Sequence, residues 1–448
     1  MKWRRALLAG SATVVLGVLG FLAYAYESPI DPVDRPSADS FAPELVEKGR
    51  ILAAAGDCET CHSAPGRPRF SGGLGLPTPF GVLYTTNITP DPQYGIGRWS
   101  KEAFRRAMRE GVRRDGAHLY PGFPYTAYKN VTESDIDAIY AYLMTQEPVA
   151  MDPPENGIIF PFNYRFFQAG WKLLFFDPAP LTVDPSKSKQ WNRGAYLAEG
   201  LGHCSACHSP RNLLGAEKQG GDRYTGALVE GWYAPALNGD TGSPLPWSKD
   251  ELYSYLRTGA SPLHGVAAGP MAPVISDGLA QQSDADIEAL ATYFADLADA
   301  PEQVDEQTIV EALQSTRAPS LSELASRGKT LFEAGCIACH YNEPDKAPNI
   351  LRPELALNTA VTGPNPSTLI QAILNGVNKP HGHPDIFMPG YASSLTDEDI
   401  AAIAAYLHET YATPIGAISP AWADLAGTTK ALRTENTEKQ HRQAEAAQ

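Results

Sequence analysis

The pattern Cys-x-x-Cys-His occurs three times in this chain of 448 residues and uses all six of its cysteines. Each copy places two cysteines and a histidine within five positions: Cys58, Cys61 and His62; Cys204, Cys207 and His208; Cys336, Cys339 and His340. Two thiols one helical turn apart can add to the two vinyl groups of one haem, and the adjacent histidine can then ligate the iron. The pattern therefore predicts three covalent haems c and leaves no cysteine for a disulfide.

A bare Cys-x-x-Cys pair is more often a zinc site or a thiol-redox motif. Here a histidine follows each pair directly, which favours haem. Charge and length narrow the classes of protein to which the chain can belong. The length predicts about three domains, and a formal net charge of −15 leaves no basic stripe for nucleic acid. An acidic surface suits docking to a basic redox partner.

The N-terminus has the pattern of an export or anchoring segment. Lys2, Arg4 and Arg5 precede an uncharged, mostly apolar run over residues 6–26. At about 1.5 Å per residue this run is long enough to cross a bilayer core. It predicts an N-terminal transmembrane anchor in the cytoplasmic membrane, with the rest of the chain on the periplasmic side. Cleavage after Ala25, as by a signal peptidase, is the alternative.

The sequence around the three motifs repeats, which predicts three domains of one design. Each repeat begins with a helix that carries an Arg-Gly or Gly-Arg pair, continues with a helix that closes on a glycine, and ends with an amphipathic helix. Each terminal helix starts with a capping residue and an aspartate three positions later: Thr132 and Asp135, Ser283 and Asp286, Thr396 and Asp399. This order of elements resembles the small cytochrome c fold. We therefore predict an all-α chain with three tandem cytochrome c-like domains behind a transmembrane helix.

The boundaries follow from the repeats and from composition. The three domains are predicted at 41–150, 188–299 and 323–412. Proline-rich segments at 151–187 and 300–322 are predicted linkers, and the polar stretch 425–448 has the composition of a disordered tail.

The first linker contains an aromatic, apolar stretch over residues 166–176. As a helix of about 16 Å it is too short to span a bilayer. We predict that it contacts a partner subunit or the membrane surface, with hydrophobic packing between the first two domains as the alternative.

A haem iron that only moves electrons usually takes a second axial ligand, and methionine raises its potential. Met271 and Met388 each stand beside a proline in the loop before a terminal helix. A small cytochrome c places its methionine ligand there, and we predict that both ligate iron. Ordinary core packing is the alternative for any methionine.

The first repeat departs from this pattern because Phe123 occupies the expected methionine position. Alignment on the glycines that close the middle helices places Met108 opposite Leu256 and Ile373, and Met108 is the favoured sixth ligand. Met144, His118 and an open iron remain alternatives.

The proximal histidines need hydrogen-bond partners that fix their rings. The segments 234–237 and 352–355, Ala-Pro-Ala-Leu and Arg-Pro-Glu-Leu, resemble the loop whose proline carbonyl accepts the Nδ1 proton of such a histidine. An ordinary turn is the alternative.

Longer stretches extend the resemblance beyond cytochrome c in general. They include Thr-Pro-Phe-Gly at 78–81, Tyr-Thr-Thr-Asn-Ile-Thr-Pro-Asp-Pro at 84–92 and Tyr-Gly-Ile-Gly at 94–97. Over nearly the whole chain after the N-terminal run, the sequence resembles the triple-haem cytochrome subunits of bacterial membrane-bound alcohol and gluconate dehydrogenases. The resemblance implies that a separate catalytic subunit supplies electrons, which pass to quinone or to a downstream cytochrome or oxidase.

One branch of this family of cytochrome subunits resembles the chain more closely. Tyr-Pro-Gly-Phe-Pro-Tyr at 120–125, Gly-Leu-Gly-His at 200–203 and the segment 230–238 resemble cytochromes that accompany molybdenum hydroxylases of the xanthine-oxidase type. This implies partners with molybdopterin and iron–sulfur subunits that oxidise aldehydes or N-heterocycles. A quinoprotein alcohol or flavoprotein gluconate dehydrogenase is the alternative partner.

No substrate-oxidising site is evident in the sequence, which has no dinucleotide fingerprint and no nucleophile elbow. The leading interpretation is an electron-transfer subunit that is not an enzyme by itself. A multihaem peroxidase with an open first haem and a free-standing electron carrier are the competing interpretations.

Overall fold

In the computed structural model, which describes residues 2–314, 320–340, 354–377, 386–412 and 419–446, the chain forms two units. The first unit comprises Met1–Leu52 and Cys61–Leu181, and the second comprises Ala53–Thr60 and Thr182–Gln448. The second unit therefore contains both the second and the third of the predicted domains.

Up to residue 181 the described chain has seven α-helices and one antiparallel sheet. The helices are α1 Lys2–Ala25, α2 Pro43–Ala55, α3 Cys58–His62, α4 Lys101–Glu110, α5 Tyr125–Tyr128, α6 Glu133–Met144 and α7 Phe167–Phe175. The sheet has the order β1 Gly75–Thr78, β2 Gly81–Tyr84, β3 Gly157–Ile158, with Leu76 opposite Leu83 and Gly81 opposite Ile158.

From residue 182 onward the described helices are α8 Lys189–Glu199, α9 Ser205–His208, α10 Lys249–Thr258, α11 Met271–Pro273, α12 Asp284–Leu297, α13 Glu306–Gln314, α14 Glu323–Gly335, α15 Thr359–Thr362, α16 Ser367–Asn375, α17 Asp397–Tyr411 and α18 Leu425–Ala446. Two hairpins accompany them, β4 Ala227–Val229 with β5 Trp232–Ala234 and β6 Ala260–Ser261 with β7 Gly265–Val266.

The predicted caps begin the terminal helices. The side chains of Thr132, Ser283 and Thr396 each accept a hydrogen bond from the backbone N–H three residues later. At Thr396 the Asp399 carboxylate also accepts from the Thr396 backbone, which completes the reciprocal box. Thus the three helices start where the sequence predicts.

Each predicted domain has a glycine where its first helix crosses its terminal helix. A Cβ placed on any of these glycines meets a backbone carbonyl oxygen at about 2 Å: Gly49 with Ala138 at 1.9 Å, Gly194 with Ala289 at 2.0 Å and Gly328 with Ala402 at 1.8 Å. Only a residue without a side chain lets the two backbones come this close. The same crossing in all three repeats supports the prediction that they share one design.

The prediction of an all-α chain with an N-terminal transmembrane helix is wrong in two respects. First, three small sheets are present among the described residues: β1 and β2 follow the first motif, β4 and β5 follow the second, and β6 and β7 follow α10. Second, among the described residues no helix combines the length and the apolar character needed to cross a membrane.

The C-terminal stretch also differs from expectation. Composition predicts a disordered tail, but residues 425–446 form helix α18. Leu425 and Leu432 are buried in the hydrophobic cluster of the third domain, and Arg433 pairs with Asp397 at 2.7 Å. Burial of this one apolar edge explains why a mostly polar helix docks.

Candidate haem sites

The three Cys-x-x-Cys-His motifs occupy single helical turns. The first forms α3, the second begins at Cys204 and continues as α9, and the third is a turn that begins at Cys336, the residue after α14. In the second and third motifs the histidine N–H donates to the carbonyl of the first cysteine at 3.0 Å. One turn therefore brings both thiols and the imidazole to the same side, as attachment to a single haem requires.

The thiols of the first two motifs are buried. Burial is the largest cause that raises the pKa of Cys58 and of Cys204 to about 12 and that of Cys207 to about 11. Among the described residues, no three or more His, Cys, Asp or Glu side chains are grouped so as to hold a metal ion. The donor set fits covalent haem, which supplies one-electron redox chemistry when bound.

The predicted proximal histidine of the second motif has the hydrogen-bond partner that the sequence predicts. His208 Nδ1 lies 2.7 Å from the carbonyl oxygen of Pro235, directly after β5. The hydrogen bond fixes Nδ1 as the donor and leaves Nε2 to coordinate iron. The turn that brings Pro235 here is tight, because Glu230 and Gly231 both have positive φ.

The first motif uses a different carbonyl, which the sequence reasoning missed. His62 Nδ1 lies 2.6 Å from the carbonyl oxygen of Thr86, just after β2. Gly72, at φ +71°, donates its N–H to the His62 carbonyl, and a Cβ there would lie 2.5 Å from the Thr85 carbonyl oxygen. The double glycine at 72–73 is the sequence signal for this close approach.

In the third motif the expected partner loop falls only partly within the described residues. Arg352 and Pro353 lie outside them, and His340 Nδ1 is buried without a hydrogen-bond partner among the residues that are described. Burial lowers the pKa of His62, of His208 and of His340. Each imidazole is therefore neutral, the form that ligates iron.

The two predicted methionine ligands lie beside the hydrophobic clusters of their own domains. Met271 opens α11 and packs on the second-domain cluster, which Cys204 also contacts. Met388 packs on the third-domain cluster together with Cys336, and its backbone exchanges hydrogen bonds with Val377 at 2.9 and 3.0 Å. In both domains the structure brings the first cysteine and the methionine to one cluster.

In the first domain the candidates for the sixth ligand have different surroundings. Met108 is 4% exposed on α4, and Met144 is fully buried at the end of α6. Phe123 packs its ring on Tyr128 with centroids 5.4 Å apart. Leu256 and Ile373, which align with Met108, are buried in the second and third clusters, against which Met271 and Met388 pack.

His118 has both ring nitrogens engaged. Its Nε2 lies 3.0 Å from the Ala25 carbonyl oxygen, and Nζ of Lys172 lies 3.1 Å from its Nδ1. Burial and the neighbouring ammonium lower the pKa of His118, which keeps the imidazole neutral. A histidine that uses both nitrogens in this way has none left for iron, so the geometry disfavours His118 as a ligand.

Lys172 is a buried residue of the apolar helix α7, where the removal of its ammonium from water costs free energy. The ammonium donates to the carbonyls of Glu110 at 2.6 Å and Gly111 at 2.9 Å as well as to His118, while Leu173 and Leu174 beside it are exposed. Burial lowers the pKa of Lys172 to about 8. Below that pH the ammonium is stabilised inside the protein by these three acceptors.

This shift predicts a pH dependence of stability. Between about pH 8 and 10.5 the unfolded chain keeps a proton on Lys172 that the folded chain has lost. The free energy of unfolding should therefore rise with pH across this window, by about 1.4 kcal/mol for each unit of pKa lowering. Urea denaturation at several pH values should show a steeper rise in the natural chain than in Lys172→Met. The exposed-site variant Lys101→Met is the control, and equal slopes in all three chains would contradict the prediction.

Comparison with known proteins adds to this geometry. The family model described as Cytochrome c matches residues 46–147 and 325–410. The chain is 45% identical over 434 residues to a nicotinate dehydrogenase subunit of Pseudomonas putida, and the match covers 96% of this chain and 35% of that protein. The present chain thus spans about a third of the length of that relative.

Two further relatives match along most of their own length. The fructose dehydrogenase cytochrome subunit of Gluconobacter japonicus is 35% identical over 430 residues, which covers 91% of this chain and 86% of that one. The gluconate 2-dehydrogenase cytochrome c subunit of Pantoea cypripedii is 35% identical over 417 residues, covering 89% and 90%.

Proposed function

This chain belongs to the family of cytochrome c subunits of bacterial dehydrogenases, and from this membership we propose that it holds three haems c and conducts electrons from a periplasmic dehydrogenase to the quinone pool or the respiratory chain. Transfer of electrons as a haem c subunit follows from the family itself. The number of haems, the nature of the partner and the acceptor are the proposal. We further propose that the chain oxidises no substrate by itself.

The observation that carries the proposal is the repeated design of the three haem motifs. Each follows a helix that crosses its terminal helix at a glycine, and together they use every cysteine of the chain. Thioether links from the six cysteines would hold the haems, with His62, His208 and His340 as proximal ligands. Several haems in one chain suit a dehydrogenase, because substrate oxidation releases electrons in pairs and a haem takes them singly.

The preferred partner is a molybdenum hydroxylase that oxidises N-heterocycles or aldehydes, with molybdopterin and iron–sulfur subunits. The relative at 45% identity is named as a nicotinate dehydrogenase subunit, whereas the fructose and gluconate relatives are 35% identical. We propose that the haem domains lie at the periplasmic face of the cytoplasmic membrane. Exposed apolar side chains on and before α7, including Phe160, Phe167, Leu173 and Leu174, support a contact there with a partner subunit or the membrane surface.

Co-purification tests this proposal. The tagged chain is isolated from its native host in mild detergent, and the accompanying proteins are examined by haem staining, mass spectrometry and metal analysis. Molybdenum and iron–sulfur in the complex would support the hydroxylase partner. A flavoprotein or quinoprotein would contradict that partner and support the sugar or alcohol branch, and a chain isolated alone would contradict its role as a subunit.

For the haems, we propose axial ligation by Met271, Met388 and, in the first domain, Met108. The burial of Leu256 and Ile373 supports Met108, because these aligned residues lie in the clusters against which Met271 and Met388 pack. The choice between Met108 and Met144 calls for a direct test.

Met108→Leu should convert the first haem to a high-spin form and lower its reduction potential, because leucine has the volume of methionine but no donor atom. Absorption and electron paramagnetic resonance spectra of the purified protein measure the spin state. Met144→Leu is the matched control and should leave all haems low-spin. High-spin iron in Met144→Leu, with low-spin iron in Met108→Leu, would identify Met144 as the ligand.

A further inference from the structure

The carboxylate of Glu199 is buried at the end of α8, in the turn before Cys204. Its side chain is 7% exposed. Oε1 accepts hydrogen bonds from the hydroxyls of Tyr224 at 2.7 Å and Tyr293 at 2.6 Å, and Oε2 accepts from Nη2 of Arg223. Three donors aimed at one buried carboxylate satisfy its negative charge in place of water.

The two tyrosines are donors at every working pH. Burial is the largest cause that raises the pKa of Tyr224 and of Tyr293 well above the ordinary value of a phenol, and the Glu199 charge adds to it. Since neither hydroxyl ionises near neutral pH, both remain available to the carboxylate.

This network reaches the second Cys-x-x-Cys-His motif directly. Nη2 of Arg223 also donates to the hydroxyl of Ser205 at 3.3 Å, and Ser205 lies in the spacer between the two cysteines. The Ser205 hydroxyl in turn donates to Glu217 at 2.7 Å. After burial, the Glu199 charge is the next cause of the raised pKa of Cys204, which places the carboxylate within electrostatic reach of the thiol.

The equivalent positions of the first and third repeats carry no buried carboxylate. Alignment on the crossing glycines Gly49, Gly194 and Gly328 places Ala54 and Glu333 opposite Glu199. Ala54 carries no charge. The Glu333 side chain is 51% exposed and pairs loosely with Lys329 at 3.8 Å, where water screens its charge. Among the described residues at this repeat position, a buried carboxylate occurs in the second domain alone.

We propose that the buried carboxylate of Glu199 tunes the second haem by lowering its reduction potential. Reduction adds an electron to the iron, and a fixed negative charge in a poorly screened interior disfavours that step. The proposal rests on the proposed function in one respect, the attachment of a haem to Cys204 and Cys207. In this proposal Glu199 acts on the haem through its negative charge and is neither an iron ligand nor a substrate-binding residue.

The test compares the midpoint potentials of the haems in the purified full-length chain by spectroelectrochemistry. The potential of the second haem is assigned as the one lost when Cys204 and Cys207 are replaced by alanine. Glu199→Gln should shift its equilibrium toward the reduced form on the order of tenfold, which is about 59 mV for one electron. Glu333→Gln, the same change at the equivalent exposed site, should shift the third haem much less.

A second variant gives the opposite sign. Arg223→Gln removes the cation that balances Glu199, so the potential of the second haem should fall rather than rise. An unchanged potential in Glu199→Gln with its haem attached, or shifts of the same sign in both variants, would overturn the proposal. Mass spectrometry of the natural chain reports attachment separately, so a missing haem at Cys204 and Cys207 would refute the proposed function instead.

Discussion

We expect replacement of both Cys204 and Cys207 by alanine to remove one covalent haem and leave two in place. The second motif is the informative one to change, because the family model matches residues 46–147 and 325–410 and so includes only the first and third motifs. The motif itself and the hydrogen bond from His208 Nδ1 to the Pro235 carbonyl support a haem at this position. Without the thiols no thioether can form.

Intact-mass analysis under denaturing conditions measures the loss, since only covalent haem survives it. The mass should fall by one haem, and the haem absorbance should fall by about a third. Electron transfer through the complex should fall with it if the second haem lies on the route. Ala206→Ser is the matched control, because it alters the spacer of the same motif and keeps both thiols and His208. An unchanged haem mass in the double variant would contradict three-haem stoichiometry.

Gly328→Ala should cause a large loss of stability. An added Cβ would lie 1.8 Å from the carbonyl oxygen of Ala402 and 2.4 Å from its carbon, so α14 and α17 must separate. Both helices line the third-domain cluster, and their separation loosens the packing of Phe332 and Ile403. We expect a decrease of about 3 kcal/mol in the free energy of unfolding, the upper part of the usual range for overpacking.

Urea denaturation followed by circular dichroism measures this effect. Gly335→Ala is the matched control, since it makes the same change in the same helix where a Cβ meets nothing within 4 Å. Alanine favours a helix over glycine by up to about 1 kcal/mol, so the control should be neutral or slightly stabilised. Equal midpoints for the two variants would show that the crossing tolerates a methyl group.

Much of the candidate site was predictable from local sequence. The helical turn that carries Cys204 and His208 was predictable because its geometry is set within five residues. The caps at Thr132, Ser283 and Thr396 were predictable for the same reason, since a cap and its N–H partner are three residues apart. The Pro235 carbonyl was identified only through resemblance, because it lies 27 residues from His208.

Other features depended on contacts that no local pattern records. The polar composition of the C-terminal stretch suggested disorder, yet Leu425 and Leu432 suffice to dock it as a helix. The apolar N-terminal run suggested a transmembrane span, but no described helix of the structure meets that requirement. Composition averages over a segment, whereas docking depends on a few side chains and the surface that receives them.

The sequence by itself determined the haem chemistry, because covalent attachment requires two thiols and an imidazole at fixed neighbouring positions. The tertiary structure alone decided which groups surround them. In the folded chain, His62 hydrogen-bonds to the Thr86 carbonyl and both ring nitrogens of His118 have partners. Tyr293, 94 residues away in sequence, donates to the carboxylate of Glu199. Burial and long-range pairing set charge and ligand availability, and these arise only when distant parts of the chain pack together.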